Sequence, residues 1–189
     1  MAKIRPFRAL RPQPALAPQI AAVPYDVVNA EEARALAAGN PLSFLHVSRS
    51  EIDLPPDTNP YSDAVYRAAA ERFAALRASM VEEAGPALYF YKLRMGAHEQ
   101  TGLAACYSVD EYDANLVKKH EKTRRDKEDD RTRHITELRA QTGPVFLTYH
   151  ASAEVDAVAA KVAGTAPLYD LVAPDGTTGA DITTRTVDG

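Results

Sequence analysis

Between Lys118 and Arg139 the chain reads KKHEKTRRDKEDDRTRHITELR, with nine Lys or Arg, six Asp or Glu and two His. No other stretch is as dense in groups that move protons or hold phosphate. Phosphoryl transfer needs cations on the equatorial oxygens and a carboxylate or imidazole at the nucleophile. His120 and Glu121 form a candidate acid–base pair. Lys119, Lys122, Arg124 and Arg125 are candidate phosphate-binding cations, and Thr123 offers a hydroxyl that can donate a hydrogen bond. The spacing is not that of an HExxH zinc site, because residue 124 is Arg. No metal ligand set is assigned. The candidate cofactor is magnesium carried with a nucleotide.

These groups need elements to hold them. From Arg124 to Gln141 the pattern predicts a helix. Glu128 with Arg131, Asp129 with Arg133, and Asp130 with His134 stand at pairing distance along it. Ile135 and Leu138 give it a modest apolar stripe. A plainer reading of residues 126–139 is a solvated helix crossed by surface ion pairs, each worth about 0–1 kcal/mol. Residues 118–123 fall at the junction of a hairpin and this helix, where sites often form. Three residues elsewhere are pocket candidates. Pro24 fixes a φ ahead of Tyr25 and Asp26, so both could be aimed at a site; alternatively Tyr25 fills the core and Asp26 caps a turn. His46 lies in an expected strand, where backbone partners could equally satisfy it.

The remaining chain supplies a scaffold. Residues 1–30 are proline-rich and predict an extended segment and an irregular loop. Asn29 and Glu32 spell a capping box for a helix over Asn29–Gly39. Leu42–Val47 reads as a strand. Asn59-Pro60 opens a long helix with Val65, Ala69, Phe73, Leu76 and Met80 on one face, stopped by Gly85-Pro86. Ala87–Leu93 and Gln100–Val109 read as an antiparallel hairpin around Met95-Gly96-Ala97. Val145–Tyr149 and Leu168–Val172 read as strands, and Ser152 caps a helix over Glu154–Ala163. Ile182–Val187 reads as a return strand within a segment, 165–189, that is weak or frayed. The expectation is one α+β domain with a mixed, largely antiparallel sheet and flanking helices.

Composition bounds the function. The 189 residues carry a net charge of −4, with +3 on residues 118–139 and −7 on the rest. That acidic body argues against nucleic acid as the main partner. No apolar run approaches the ~18–20 residues of a membrane span, so no membrane partner is expected. Cys106 is the only cysteine. It cannot close an internal disulfide, and a cytoplasmic location with a packed thiol is the expectation. A homo-oligomer is compatible with the sequence. Neither a GxxxxGKS/T loop nor a GxGxxG fingerprint is present.

Several motifs occur in a recognisable order. They are Pro24-Tyr25-Asp26-Val27, Asn40-Pro41-Leu42-Ser43-Phe44-Leu45-His46-Val47, Leu88-Tyr89-Phe90-Tyr91 and Gly102-Leu103. Glu111-Tyr112, Lys119-His120-Glu121-x-Thr123 and Gly143-Pro144-Val145 follow. Over about residues 3–150 the chain thus resembles the bacterial and archaeal domain of unknown function 1015 family. The resemblance implies a longer architecture, roughly twice this length. Its second half has an Asp-Gly-His-His-Arg element similar to ParB-like proteins and free serine kinases. No such element occurs here, so the chain is expected to correspond to the N-terminal part.

Together these readings give an expectation: a cytoplasmic phosphate- or nucleotide-dependent enzyme. It would carry out phosphoryl transfer or phosphate-ester hydrolysis on a small metabolite, with serine or phosphoserine suggested only by the serine-kinase similarity. The alternative is a non-enzymatic regulatory module that binds nucleotide or nucleic acid through residues 118–139.

Overall fold

Asn29 opens a helix as its sequence predicts. Its side chain accepts hydrogen bonds from the N–H groups of Glu31 and Glu32 at 2.9 and 3.0 Å, and Glu32 returns a carboxylate to the Asn29 N–H at 2.8 Å. The structure, a computed structural model, describes residues 2–120, 122–172 and 178–185, with backbone alone for the last stretch. In chain order its elements are β1 (Ile4–Arg5), β2 (Leu10–Pro12), α1 (Ala17–Ile20), α2 (Ala30–Ala37), α3 (Leu45–Ser48) and α4 (Asp63–Leu76). Then come β3 (Met80–Glu82), β4 (Leu88–Met95), β5 (His98–Ala104), β6 (Cys106–Tyr107), α5 (Val109–Asp113), α6 (Arg125–Leu138), α7 (Ala153–Ala163) and β7 (Thr178–Arg185). The chain is α+β. Its strands form three small sheets, in the orders β1-β6, β2-β3 and β5-β4-β7.

The residues group into two units. One comprises Met1–Ala15, Val81–Lys122 and Thr148–Gly189; the other comprises Leu16–Met80 and Thr123–Leu147. In the first, the predicted hairpin forms between β4 and β5, from Tyr89 opposite Ala104 to Met95 opposite His98. Gly96 takes φ +59° in the two-residue turn, where such hairpins need a residue with positive φ. The return strand is β7, antiparallel to β4 from Leu88 opposite Arg185, with a register shift between Lys92 and Arg94. Val187 lies outside the described residues. Phe7 and Tyr89 stack with ring centroids 5.1 Å apart. The Tyr169 hydroxyl donates to the Pro12 carbonyl and accepts from Arg11, which also pairs with Glu83.

The second unit is helical. Ala33, Ala37, Leu45 and Ile52 form a buried cluster against which Ala22, Val23 and Val28 pack. Along α4, Val65, Ala69, Phe73 and Leu76 of the predicted apolar face are buried and Tyr66 joins them, whereas Met80 lies beyond the helix in β3.

Several local expectations are corrected: Leu168–Val172 forms no strand, and the long helix ends at Leu76 ahead of β3, well before Gly85-Pro86. Leu42–Val47 is not a strand; its end is the helical turn α3. Asn40 and Ser43 side chains accept from the Leu42 and Leu45 N–H groups at 3.2 and 3.3 Å, which bends the backbone into turns. The long helix starts two residues beyond Tyr61, with Ser62 at its N-cap, because Asn59 is spent on a turn that accepts from the Tyr61 N–H. Val145–Tyr149 forms no strand, and Val145 and Phe146 are 78% and 74% exposed. Cys106 is exposed, since its strand is two residues long and pairs only with β1.

Candidate functional site

Lys127, Asp130, Arg131 and His134 lie at helical spacings of three, one and three, so α6 gathers them on one face. All four line a cleft of about 260 Å³ within the helical unit. Ser48, Arg49 and Glu51, at and just beyond the end of α3, line it as well, together with Tyr25, Tyr61 and Tyr66.

Three side chains fix α6 in place. Tyr66 of α4 donates its hydroxyl to Asp130 Oδ1 at 2.6 Å. Burial, then the bond to Asp130, pushes the Tyr66 pKa far up, so the phenol stays a donor. Arg133 reaches Asp63 at 2.6 Å and lies 4.2 Å from the Tyr66 ring centroid. His134 is buried, with Nε2 3.0 Å from the Val47 carbonyl oxygen. Burial lowers its pKa, and the neutral ring donates its Nε2–H to that carbonyl.

These contacts present cations to the cleft. Arg131 forks onto Asp130 Oδ2 at 2.7 and 3.0 Å and places its guanidinium 4.1 Å from the Tyr25 ring centroid. Lys127 donates to the Tyr61 hydroxyl at 3.1 Å, a bond that raises its pKa and keeps it cationic. Arg49 Nε lies 3.0 Å from Glu51 Oε1 without the angle of a hydrogen bond. Ser48 Oγ is buried with no hydrogen-bond partner among the described residues.

The residues singled out by sequence fall in different places. Tyr25 lines the cleft, whereas Asp26 is exposed in the adjoining turn. Lys119 lies in the first unit, 4.6 Å from the Tyr112 ring centroid. His120, Lys122, Thr123, Arg124 and Arg125 are exposed, and Arg124 pairs with Asp126 at 2.7 Å. Glu121 lies outside the described residues. His120 is not among the residues that line the cleft. His46 borders a second, more open hollow of about 330 Å³. Its Nδ1 sits 2.8 Å from Asp53, which also receives Arg72, and its Nε2 sits 3.2 Å from the Asn40 carbonyl oxygen.

Sequence reasoning missed the inward face of α6. Its signal was the 127/130/131/134 spacing, one polar stripe of four different chemistries. Glu128–Arg131, Asp129–Arg133 and Asp130–His134 were read as the pairs of that helix. Instead Asp130 binds Tyr66 and Arg131, and Arg133 binds Asp63. Among the described residues no three or more His, Cys, Asp or Glu side chains converge as metal ligands. No helix among them is long and apolar enough to cross a membrane.

A family model described as protein of unknown function (DUF1015) matches residues 4–186, well past the motifs that end near residue 150. No curated protein and no solved structure matches. The chain belongs to the DUF1015 family.

Proposed function

We propose that this family member binds the phosphate of a small metabolite or nucleotide in the cleft of its helical unit, as part of phosphoryl transfer or phosphate-ester hydrolysis. The observation that carries the reading is the convergence of Arg49, Lys127 and Arg131 on one cleft. Phosphate favours such a setting. Guanidinium groups bind it through paired N–H donors, and a lysine adds a mobile point charge. Two carboxylates, Glu51 and Asp130, also line the cleft, but each is paired with an arginine.

The cleft residues have distinct roles. Asp130 accepts bonds from Tyr66 and Arg131, which makes it an orienting group for the Arg131 fork. His134 lines the cleft but spends its Nε2–H on a buried carbonyl, and so positions α6. Lys127 and Arg49 then supply cations to the equatorial oxygens of the transferring phosphoryl group. His120, the acid–base candidate from sequence, is not among the residues that line the cleft.

Turnover is the test. Release or transfer of phosphate from ATP, ADP and phosphomonoesters would be followed by phosphorus NMR, with and without magnesium. The comparison sets the intact chain against Arg49→Gln, Lys127→Gln and His120→Ala. Loss of at least tenfold in kcat/KM in both cleft variants is expected, about what one charged hydrogen bond contributes. Turnover unchanged in both would sink the assignment to the cleft. Turnover unchanged in His120→Ala would remove that residue from the acid–base role.

A further inference from the structure

The proposed function leaves two ligand classes open, a compact phosphorylated metabolite and a nucleotide. We infer that the cleft takes a compact phosphomonoester and excludes nucleotides. This rests on the phosphate-binding reading and narrows its substrate class.

Size comes first. The cleft offers about 260 Å³ and is partly open to solvent. Sites for drug-sized ligands usually span ~300–1,000 Å³. A nucleoside diphosphate, with base, ribose and two phosphates, is a ligand of that larger class. One phosphate on a backbone of three to five carbons fits the smaller space.

The walls resist widening. Pro55, Pro56 and Pro60 line one side and fix φ at three positions of a seven-residue loop, Leu54 to Pro60. That loop is also tied internally. The Thr58 N–H bonds the Pro55 carbonyl at 2.9 Å, and the Ser62 N–H bonds the Asn59 carbonyl at 3.0 Å. Arg34 of α2, another lining residue, donates to the Ile52 and Glu51 carbonyls at 3.1 and 3.4 Å. Reshaping this wall to admit a base and ribose would strain these bonds.

The aromatic side chains are already committed. Nucleobases are commonly held by stacking on aromatic rings. Here Arg131 sits 4.1 Å from the Tyr25 centroid, Arg133 4.2 Å from Tyr66 and Lys127 5.7 Å from Tyr61. Each tyrosine lining the cleft thus has a cation over one face. Tyr25 and Tyr61 hold the cleft cations Arg131 and Lys127, while Arg133 over Tyr66 pairs with Asp63, an arrangement that suits a ligand recognised through its phosphate.

Calorimetric titration of the intact chain tests this at fixed ionic strength. The probes are inorganic phosphate, glycerol 3-phosphate, O-phosphoserine, ADP and ATP, on wild type, Lys127→Gln and Arg49→Gln. The expected result is saturable binding of at least one phosphomonoester, weakened about tenfold in each variant, with nucleotides at least tenfold weaker than that ester. Lys127 is exposed and its ammonium donates to the exposed Tyr61 phenol, so Lys127→Gln is expected to fold. ADP or ATP binding as tightly as the ester, and equally weakened by Lys127→Gln, overturns the size inference but leaves the phosphate reading standing. Ester binding that neither variant weakens places the ligand elsewhere and overturns both. No binding by any probe, with a cooperative melt, also overturns both.

Discussion

Two halves of one charged segment behave in opposite ways. Residues 118–125 carry Lys118, Lys119, His120, Lys122, Arg124 and Arg125, all exposed. In residues 127–134, by contrast, Asp130, Arg133, Arg131 and His134 are committed to Tyr66, Asp63, Tyr25 and the Val47 carbonyl. Residues 118–125 hold five Lys or Arg and one acid, whereas residues 127–134 hold three of each and so carry their own counter-charges. The difference is that the second half repeats with the helical period and meets α3 and α4. A chemistry-rich stretch becomes a site where long-range partners fix its groups, because holding long side chains in one geometry costs entropy that exposed pairs rarely recover.

The two histidines break that comparison most directly. His134→Ala removes a buried ring and leaves the Val47 carbonyl unpaired, so unfolding stability should fall by about 2–4 kcal/mol. His120→Ala should change it by less than ~0.5 kcal/mol. Urea denaturation of both variants measures the contrast, and comparable losses would mean that His120 is also held by partners. Next in size is Tyr66→Phe, which deletes one bond to a carboxylate without changing shape. It should cost about 1.5–3 kcal/mol, read in the same experiment. A cost near zero would mean that Asp130 does not anchor α6.

Acid titration sharpens the point with a smaller effect. Burial lowers the His134 pKa below the ordinary 6.5. In the window between that lowered value and 6.5, the unfolded chain binds the proton and the folded chain does not. The stabilising contribution is therefore complete above about 6.5 and is lost as pH falls through this window. Denaturation midpoints at a series of pH values should fall on acidification more steeply for wild type than for His134→Gln. Identical slopes would assign the acid sensitivity to other groups.

The sequence revealed those parts of the fold that local bonding decides. The capping box at Asn29 and Glu32 and the aromatic hairpin around Gly96 carry their signals within a few residues. The run from Leu42 to Val47 did not, because a short apolar stretch suits a buried strand and a buried helical turn alike. There the Asn40 and Ser43 side chains decided the outcome. Val145–Tyr149 shows the reverse failure, an apolar run with no strand partner among the described residues. The cleft was half legible. Tyr25 and the charged segment stood out, but the segment's exposed half drew the attention. The partners that select its other half lie far back in the chain, Tyr66 64 residues before Asp130 and Val47 87 before His134. No periodicity reports pairings of that length.

The interleaving of the two units sets an order of assembly during synthesis. The helical unit draws on Leu16–Met80 and then on Thr123–Leu147. Until the ribosome has delivered α6, the Tyr66 hydroxyl has no Asp130 and the Val47 carbonyl has no His134. The nascent chain must carry a half-built helical core while strands of the other unit emerge, and that unit in turn waits for Tyr169 to reach Pro12. Closing such long loops slows folding and lengthens the exposure of unfinished surfaces. A break anywhere between Met80 and Thr123 would therefore separate the cleft from the helix that charges it, and neither contiguous fragment would contain a complete helical core.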